Sequence, residues 1–154
     1  MPLGDLLRRL AGEFAPQAAE KGLNLTVINT DLEVCSDPLL LERILRNLIS
    51  NAIRYTERGR VLIGCRRRGA TVSVEVWDTG IGIPPDQFGE IFREFHRGRD
   101  QVYRGTEGFG IGLAVVERLA ALLDHRIQVA SVPGKGSVFR IKAALAGTSS
   151  RAGA

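Results

Sequence analysis

Two pairs of strand-like segments, set among helix-like segments, constrain the fold of this chain more than any other feature. One pair, residues 61–67 and 71–77, is joined around Gly69. The other pair, residues 126–131 and 137–145, is joined by a short turn that contains two further glycines. Short glycine-containing connections of this kind are typical of antiparallel hairpins. Any fold for this chain must therefore include two hairpins.

Helical periodicity accounts for much of the remaining chain. Apolar residues recur at helical spacing over residues 3–19 and 111–123, and the pair Asp37-Pro38 indicates the start of a helix that runs to about Tyr55. Shorter elements are predicted too: strands at residues 23–28 and 34–36 and a helix at residues 88–95. Because helices and strands alternate irregularly around two hairpins, the sequence predicts an α/β fold, a two-layer α+β sandwich with helices on one face of a mixed sheet. It disfavours a doubly wound parallel sheet.

The composition narrows the classes of function. A length of 154 residues suits one domain with its own core. The net charge of +4 comes from scattered basic residues, and the run Arg66 to Arg68 falls at a predicted hairpin end, so nucleic-acid binding is disfavoured. Cys35 and Cys65 are isolated, which disfavours a zinc site or disulfide framework and predicts a reducing, cytoplasmic location. No apolar run approaches the roughly 20 residues of a membrane span, and residues 146–154 read as a flexible tail.

Three polar residues of the second predicted helix, Asn47, Asn51 and Tyr55, follow at intervals of four and line one stripe. An apolar stripe runs beside them, so the two asparagines are predicted at the edge of the core. A buried amide without a partner costs roughly 1–3 kcal/mol, and nearby backbone or water could satisfy it. Two amides on one stripe favour a ligand instead, and an amide oxygen can bind a hard cation such as Mg²⁺ without adding charge.

The stretch VWDTGIGIPPDQF places Asp78 at the end of a predicted strand, followed by Gly80 and Gly82. One interpretation is a turn, because Asp bonds its own backbone and Gly accepts positive φ. The other is a binding surface of bare backbone against which a flat ligand lies, with Asp78 forming a hydrogen bond to the edge of that ligand. Aspartic proteases also use Asp-Thr-Gly, but they need two such carboxylates that share a proton. A second Asp-Thr-Gly or Asp-Ser-Gly is absent from the chain, although a homodimer could supply it, and the chain lacks their all-β pattern, so this interpretation is set aside.

Three alternating glycines, Gly108, Gly110 and Gly112, precede the predicted helix at 111–123. The free N–H groups and positive dipole of a helix N-terminus suit a phosphate, and glycine lets the backbone approach it. A flexible hinge explains one or two of these glycines. The segment is not a Walker A loop, because no Lys-Ser or Lys-Thr follows, and Leu113 stands where GxGxxG would need its last glycine.

In this order and spacing, the motifs resemble the ATP-binding catalytic domain of sensor histidine kinases, in the superfamily shared with gyrase and mismatch-repair ATPases. The resemblance runs from about residue 3 to residue 145 and implies the Bergerat-type ATP-binding fold. It implies an ATP-binding domain at residues 23–145, after a helical segment at residues 1–22 that follows a dimerisation and acceptor domain. The matching segments are the N box at 47–56, the first glycine box at 78–83, the F box at 90–95, the second glycine box at 108–113 and the closing strand at 134–139.

The resemblance also implies roles for individual residues. Asp78 would bond the exocyclic amine of adenine, and Ser137 would support it through a water. Tyr55 would pack on the base and Asn51 would hold Mg²⁺, while Asn47 and Arg54 would lie near the phosphates. Asn47, Asn51 and Arg54 are thus the implied catalytic residues, and residues 97–107 the implied lid. The implied nucleotide site also includes both glycine boxes: Gly80, Gly82, Ile83, Gly108, Phe109, Gly110, Ile111, Gly112 and Leu113, with backbone N–H groups at Gly110 to Leu113 cradling the phosphates.

Asn47 distinguishes two activities. The hydrolysing relatives carry a Glu at the matching position, and an amide has no useful basicity near pH 7, so phosphoryl transfer is favoured over hydrolysis. Neither His96 nor His125 resembles the family's acceptor site, because an Arg follows each. The implied acceptor is therefore a His on another domain, with a response-regulator receiver downstream, and the isolated chain is expected not to autophosphorylate. The resemblance allows a membrane anchor elsewhere in the full-length protein.

Two alternatives stay open: a nucleotide-binding module without transfer activity, and a serine kinase or ATPase of the same superfamily. The completeness of the motifs favours the kinase over the first, and the F box and the length favour it over the anti-sigma type of serine kinase. One departure from the family is Asp124-His125, where many relatives carry a glycine pair. It falls at a predicted helix end and leaves the site unaffected.

Overall fold

The computed structural model describes residues 1–81 and 107–146, with only the backbone of residues 107–112. No helix in these two stretches is long and apolar enough to cross a membrane. Several predictions fall outside the described residues: Gly82, Ile83, the helix at 88–95 with its F box, the lid at 97–106 and the tail at 147–154.

The described chain forms one five-stranded sheet with helices on one of its faces. The strand order is β1-β2-β3-β5-β4, with β1 parallel to β2 and the other neighbours antiparallel. The predicted mixed sheet and both hairpins are therefore confirmed. In chain order the elements are α1 Leu3–Glu20, β1 Asn24–Val27, α2 Pro38–Arg54, β2 Arg60–Arg68, β3 Thr71–Asp78, α3 Glu107–Leu123, β4 Arg126–Val132 and β5 Gly136–Ala144.

The core lies between the helices and one face of the sheet. Alternation along β3 points Val72, Val74 and Val76 toward the helices, and the leucines of α1 and α2 meet them in one cluster. Burying an aliphatic side chain of this size contributes about 1.5–3 kcal/mol. The largest fully buried side chains are Leu3, Leu7, Leu10, Leu41, Ile44, Leu45, Leu48, Ile49, Ile63, Leu113, Ile141 and Val34.

The start of α2 is fixed by local chemistry, as the sequence predicts. The Asp37 carboxylate accepts hydrogen bonds from the backbone N–H groups of Leu39 at 2.9 Å and Leu40 at 3.0 Å. Pro38 occupies the first helical position, where its missing N–H is not needed. This cap sets the phase of the helix and therefore the direction in which Asn47 and Asn51 point.

Two element predictions differ from the structure. Residues 34–36 do not form a strand, and Val34 makes only an isolated bridge to Leu145. The helix capped by Asp37 begins soon after, at Pro38, so the strand pairing cannot continue along the chain. The third helix begins at Glu107 rather than residue 111 and so contains the three alternating glycines. Glycine weakens a helix by about 1 kcal/mol per residue relative to alanine but does not end it, and burial of Leu113 and Val116 offsets that cost.

A buried carboxylate stabilises the opposite face of β3. Glu75, only 2% exposed, accepts hydrogen bonds from the Ser73 hydroxyl at 3.0 Å, the Trp77 indole N–H at 2.9 Å and Arg140 Nε at 3.1 Å. The Arg140 guanidinium also lies 5.3 Å from the centre of the Trp77 ring, and Arg66 forms an ion pair with Glu75 at 3.5 Å. This network stabilises the last residues of β3, the strand that ends at Asp78.

Candidate functional site

Four of the residues predicted to bind the ligand lie together where α2, β3 and β5 end or begin. The backbone N–H of Ile81 donates to the Tyr55 carbonyl oxygen at 3.4 Å, which joins the end of α2 to the segment after β3. Asp78 pairs with Ser137 in the antiparallel register of β3 and β5. The structure thus brings together Tyr55, Asp78, Gly80 and Ser137, which lie up to 82 positions apart in the sequence.

Gly80 occupies a position that no larger residue could take. A Cβ there would lie 2.4 Å from the Tyr55 carbonyl oxygen and 3.0 Å from both Asp78 Oδ1 and Thr56 Oγ1. Contacts below 3 Å are repulsive, so glycine is required for the loop to pack against the end of α2. The structure therefore gives this glycine a packing role, and its predicted role beneath a flat base stays a prediction.

Asp78 is a half-buried carboxylate with a perturbed protonation equilibrium. Burial raises its pKa, because removal from water disfavours the charged form. Hydrogen bonds from the backbone N–H groups of Gly80, at 2.9 Å, and of Ser137 oppose part of that rise. These two bonds fix the carboxylate and leave it acceptor capacity. A fixed acceptor at the end of a strand can recognise an amine on the edge of a ligand.

Asn51 is 4% exposed, and its Nδ2 atom has no hydrogen-bond partner among the described residues. An orphaned buried N–H donor costs about 1–3 kcal/mol, so its retention points to a ligand that accepts a hydrogen bond, such as a phosphate oxygen. Asn47 and Tyr55 lie half-buried on the same stripe of α2, as predicted, whereas Arg54 is exposed. Tyr55 is the C-cap of the helix.

The amide of Asn51 fits a hard cation through its oxygen atom. The described residues contain no cluster of three or more His, Cys, Asp or Glu that could hold a metal ion. A divalent ion at Asn51 can take further ligands from phosphate oxygens and water. Mg²⁺ binds in this way, with one or two protein ligands and several waters.

Ser137 is 8% exposed, and its hydroxyl oxygen lies 2.9 Å from that of Ser131. The Ser131 hydroxyl also donates to the carbonyl oxygen of Gly136 at 2.9 Å. Ser137 is therefore held beside Asp78 by its backbone and by a neighbouring hydroxyl. Its predicted support of the base through a water stays a prediction.

The second glycine box lies in the first two turns of α3. A helix leaves its first four N–H groups without intrahelical partners. For a helix that begins at Glu107, the unpaired groups within the described residues are the N–H groups of residues 107–109, because the fourth helical residue already bonds the carbonyl oxygen of the N-cap. The predicted phosphate cradle at Gly110 to Leu113 begins directly after them, and its contact with phosphates stays a prediction.

Sequence reasoning missed two residues at this end of α2. Lys21, at the C-cap of α1, donates from Nζ to the carbonyl oxygens of Ile53 at 2.8 Å and Arg54 at 3.0 Å. Thr56 is 0% exposed, and its Oγ1 has no hydrogen-bond partner among the described residues. A hydroxyl directly after the Asn-Asn-Tyr stripe was a signal for Thr56, whereas nothing in the sequence indicated the contact of Lys21.

Comparison with known proteins identifies the family. The family model of the histidine kinase-, DNA gyrase B- and HSP90-like ATPases matches residues 36–147. SenX3, a sensor-like histidine kinase of Mycobacterium tuberculosis, is 45% identical over 168 residues, covering 90% of this chain and 41% of SenX3. The sensor histidine kinase RcsC of Escherichia coli K12 is 34% identical over 146 residues, covering 93% of this chain and 15% of RcsC. The chain therefore spans less than half the length of these relatives.

Solved structures share the fold. Full-length ShkA in complex with AMPPNP superposes with a TM-score of 0.81 at 33% identity, covering 94% of this chain and 31% of that one. The catalytic domain of the histidine kinase ThkA superposes with a TM-score of 0.77 over 94% of each chain; at 24% identity this is a likeness of fold. Since the family model matches most of its length, the chain belongs to the histidine kinase-, DNA gyrase B- and HSP90-like ATPase family.

Proposed function

We propose that the chain is the catalytic ATP-binding domain of a sensor histidine kinase. It binds Mg²⁺-ATP and transfers the γ-phosphoryl group to a His on a domain that is not part of this chain. The observation that carries the proposal is a fixed carboxylate, Asp78, beside the end of α2, the helix that also carries the orphaned buried amide nitrogen of Asn51. The sensor histidine kinases SenX3 and RcsC, and ShkA with its bound AMPPNP, support it.

Each end of the nucleotide has its own group of residues. Asp78 accepts a hydrogen bond from the exocyclic amine of adenine, and Tyr55 packs against the base. Asn47 and Arg54 lie toward the phosphates, and the N-terminal turn of α3 offers N–H groups to them. A bound Mg²⁺ would neutralise phosphate charge, and Asn51 would supply its protein ligand.

The phosphoryl transfer requires little covalent chemistry from this domain. A ring nitrogen of the acceptor His forms a bond to the γ-phosphorus while the bond from that phosphorus to the bridging oxygen breaks, and ADP leaves. Positioning and charge neutralisation supply most of the rate in such transfers. Asn47 has no basicity near neutral pH, so it does not activate water, and hydrolysis is slow.

The proposal implies two protein partners. The acceptor is the dimerisation and acceptor domain of the same protein, and the phosphoryl group then passes to a response-regulator receiver domain. We place this catalytic domain in the cytoplasm, where ATP and the receiver are found.

The experiment is incubation of the chain with γ-labelled ATP, with and without the separately made acceptor domain. We expect ATP binding by the chain alone, slow turnover and no label on it. With the acceptor domain present, label should appear on a His as a phosphoramidate, lost in acid and kept in base. An acceptor variant with its His replaced by Gln is the matched control and should stay unlabelled.

Other outcomes favour other members of the superfamily. Brisk hydrolysis by the chain alone would identify an ATPase, and acid-stable label would identify a serine kinase. ATP binding without transfer to the acceptor domain would identify the chain as a nucleotide-binding module without transfer activity.

A further inference from the structure

The face of the sheet that the described helices leave uncovered, the open face, carries the excess positive charge of the chain. Glu75 is the one acidic side chain that the five strands place there. Six basic side chains alternate onto the same face: Arg60, Arg66, Arg68, Arg126, Arg140 and Lys142. Six cations less one anion exceed the net charge of +4 of the whole chain. The sheet thus collects on one surface basic residues that are scattered along the sequence.

Two of these cations lie directly opposite each other. Arg126 on β4 pairs in register with Lys142 on β5. Lys142 pairs in turn with Ser73 of β3, whose neighbour on β2 is Arg66. Neither Arg126 nor Lys142 forms an ion pair with a described residue. Like charges directly opposite each other destabilise a sheet, so this basic row fits a partner that supplies negative charge.

An apolar row crosses the open face nearer the end of β3. Its cross-strand neighbours are, in order, Leu62, Trp77, Val138 and Ala130. Leu62 and Trp77 are half-buried and Ala130 is exposed. The guanidinium of Arg140 lies 5.3 Å from the centre of the Trp77 ring, and Trp and Arg are the side chains most enriched at the energetic centres of protein interfaces. The open face therefore combines an apolar row with a basic one.

We propose that the open face binds an acidic amphipathic helix of a partner protein. The apolar stripe of that helix packs on the row of Leu62 and Trp77, and its carboxylates bond the row of Arg126 and Lys142. The two rows are four residues apart along the strands, about 13 Å, and a helix with its side chains is about 10–12 Å across. Five strands span about 19 Å, the length of a helix of about 13 residues. This inference does not depend on a nucleotide in the site.

Other occupants fit the open face less well. A second copy of the chain, related by a two-fold axis, would present the same cations and be repelled. A nucleic-acid strand needs aromatic faces on which its bases stack, and Trp77 is the one aromatic side chain that the described strands place there, already contacted by Arg140. An anionic membrane favours apolar side chains that protrude, whereas Leu62 and Trp77 are half-buried.

The test is a fluorescence titration, because Trp77, the single tryptophan of the chain, lies within the proposed surface. The probe is a synthetic peptide of about 20 residues, long enough to cross the sheet, with leucines on one helical face and glutamates on the other. We expect a saturable shift of the Trp77 emission to shorter wavelength, weakened by added salt. Peptides with serine in place of leucine, or lysine in place of glutamate, should bind at least about tenfold more weakly.

Lys142→Glu is the decisive variant. It replaces a repulsive pair with Arg126 by an attractive one, so its melting temperature should match or exceed that of the parent. Its affinity for the acidic peptide should nevertheless fall about tenfold, because an attraction becomes a repulsion. Arg43→Glu makes the same change of charge at an exposed position of α2, on the covered side of the sheet, and should bind as the parent does.

Several results would overturn the inference. These are no binding of the acidic peptide by the parent, equal affinities of Lys142→Glu and Arg43→Glu, and equal binding of the peptide that carries serine. Tighter binding of phosphatidylglycerol vesicles or of a single-stranded oligonucleotide than of the acidic peptide would also overturn it, and would assign the open face to a membrane or to a nucleic acid.

Discussion

The Lys21 ammonium group donates a hydrogen bond of 2.8 Å to the carbonyl oxygen of Ile53, across 32 positions of sequence. A second bond, of 3.0 Å, reaches the carbonyl oxygen of Arg54. A cation at a helix C-terminus is favourable because it faces the negative end of the helix dipole. The end of α1 therefore holds the end of α2, one residue before Tyr55.

Replacement of Lys21 by Met should lower the stability of the domain by about 1 kcal/mol, because the chain length is kept while the bonds to the two carbonyls are lost. ATP affinity should also fall, since the position of Tyr55 depends on this end of α2. Thermal unfolding and calorimetry measure the two effects. Lys135→Met, at an exposed turn, is the control, and equal behaviour of the two variants would refute the positioning role of Lys21.

Replacement of Asp78 by Asn should weaken ATP binding about ten- to hundredfold while leaving the nucleotide-free domain as stable or more stable. Burial raises the Asp78 pKa above its ordinary value of 3.8, so the folded protein binds this proton more tightly than the unfolded chain does. The stability that this group contributes is thus lost as pH rises through its pKa in the folded protein. At neutral pH the full free-energy cost of burying the charged carboxylate is present.

The stability of parent and Asp78→Asn proteins should therefore be compared by unfolding at several pH values, followed by fluorescence of Trp77, the single tryptophan. The advantage of the variant should be largest near pH 7 and should disappear below about pH 3.8, where both states are protonated. An advantage that grows on acidification would contradict the assigned cause.

Replacement of Asn51 by Ala should reduce ATP affinity strongly in Mg²⁺ and weakly in chelator. The physical reason is that the amide oxygen is proposed as a metal ligand, so its removal matters only when the metal is present. Asn24→Ala, at an exposed position of β1, provides the control. A loss of equal size in both conditions would point to damage to α2 rather than to a lost ligand.

Replacement of Asp124 by Gly should stabilise the domain by about 0.5–1 kcal/mol. Asp124 has φ of +58°, and the N–H groups of Asp124 and His125 bond the carbonyl oxygens of Ala121 at 3.1 Å and Ala120 at 2.8 Å, which closes the end of α3. Glycine takes this conformation without strain. Asp124→Ala removes the same charge but relieves no strain, so thermal unfolding should show a gain only for glycine.

Stability should also fall as pH drops below about 6.5, through His125. Burial lowers the His125 pKa from its ordinary 6.5, although the neighbouring Asp124 opposes the shift. Between the folded and the ordinary pKa the unfolded chain binds more protons, so acidification favours unfolding. His125→Asn can keep a partner for the Ser36 hydroxyl, which lies 2.8 Å from Nε2, and should lose this part of the pH dependence. If the pH dependence of stability is the same in His125→Asn as in the parent, groups other than His125 cause it.

The sequence by itself determined the features that depend on neighbours in the chain. The cap at Asp37 acts on residues two and three positions ahead, the turn at Gly69 needs only its φ of +60°, and the stripe of Asn47 and Asn51 follows from the helical repeat. The sequence predicted the start of α3 least well. Its apolar pattern begins at residue 111, whereas the helix begins at Glu107 and includes the glycines of the second box.

Only the tertiary structure decided the features that depend on distant segments. It placed β5 between β3 and β4, brought Lys21 to the end of α2, buried Thr56 beside Asp78 and removed enough water from Asp78 to raise its pKa. Propensity and periodicity act over a few residues, whereas burial and hydrogen-bond partners at this site come from segments that meet only when the core packs.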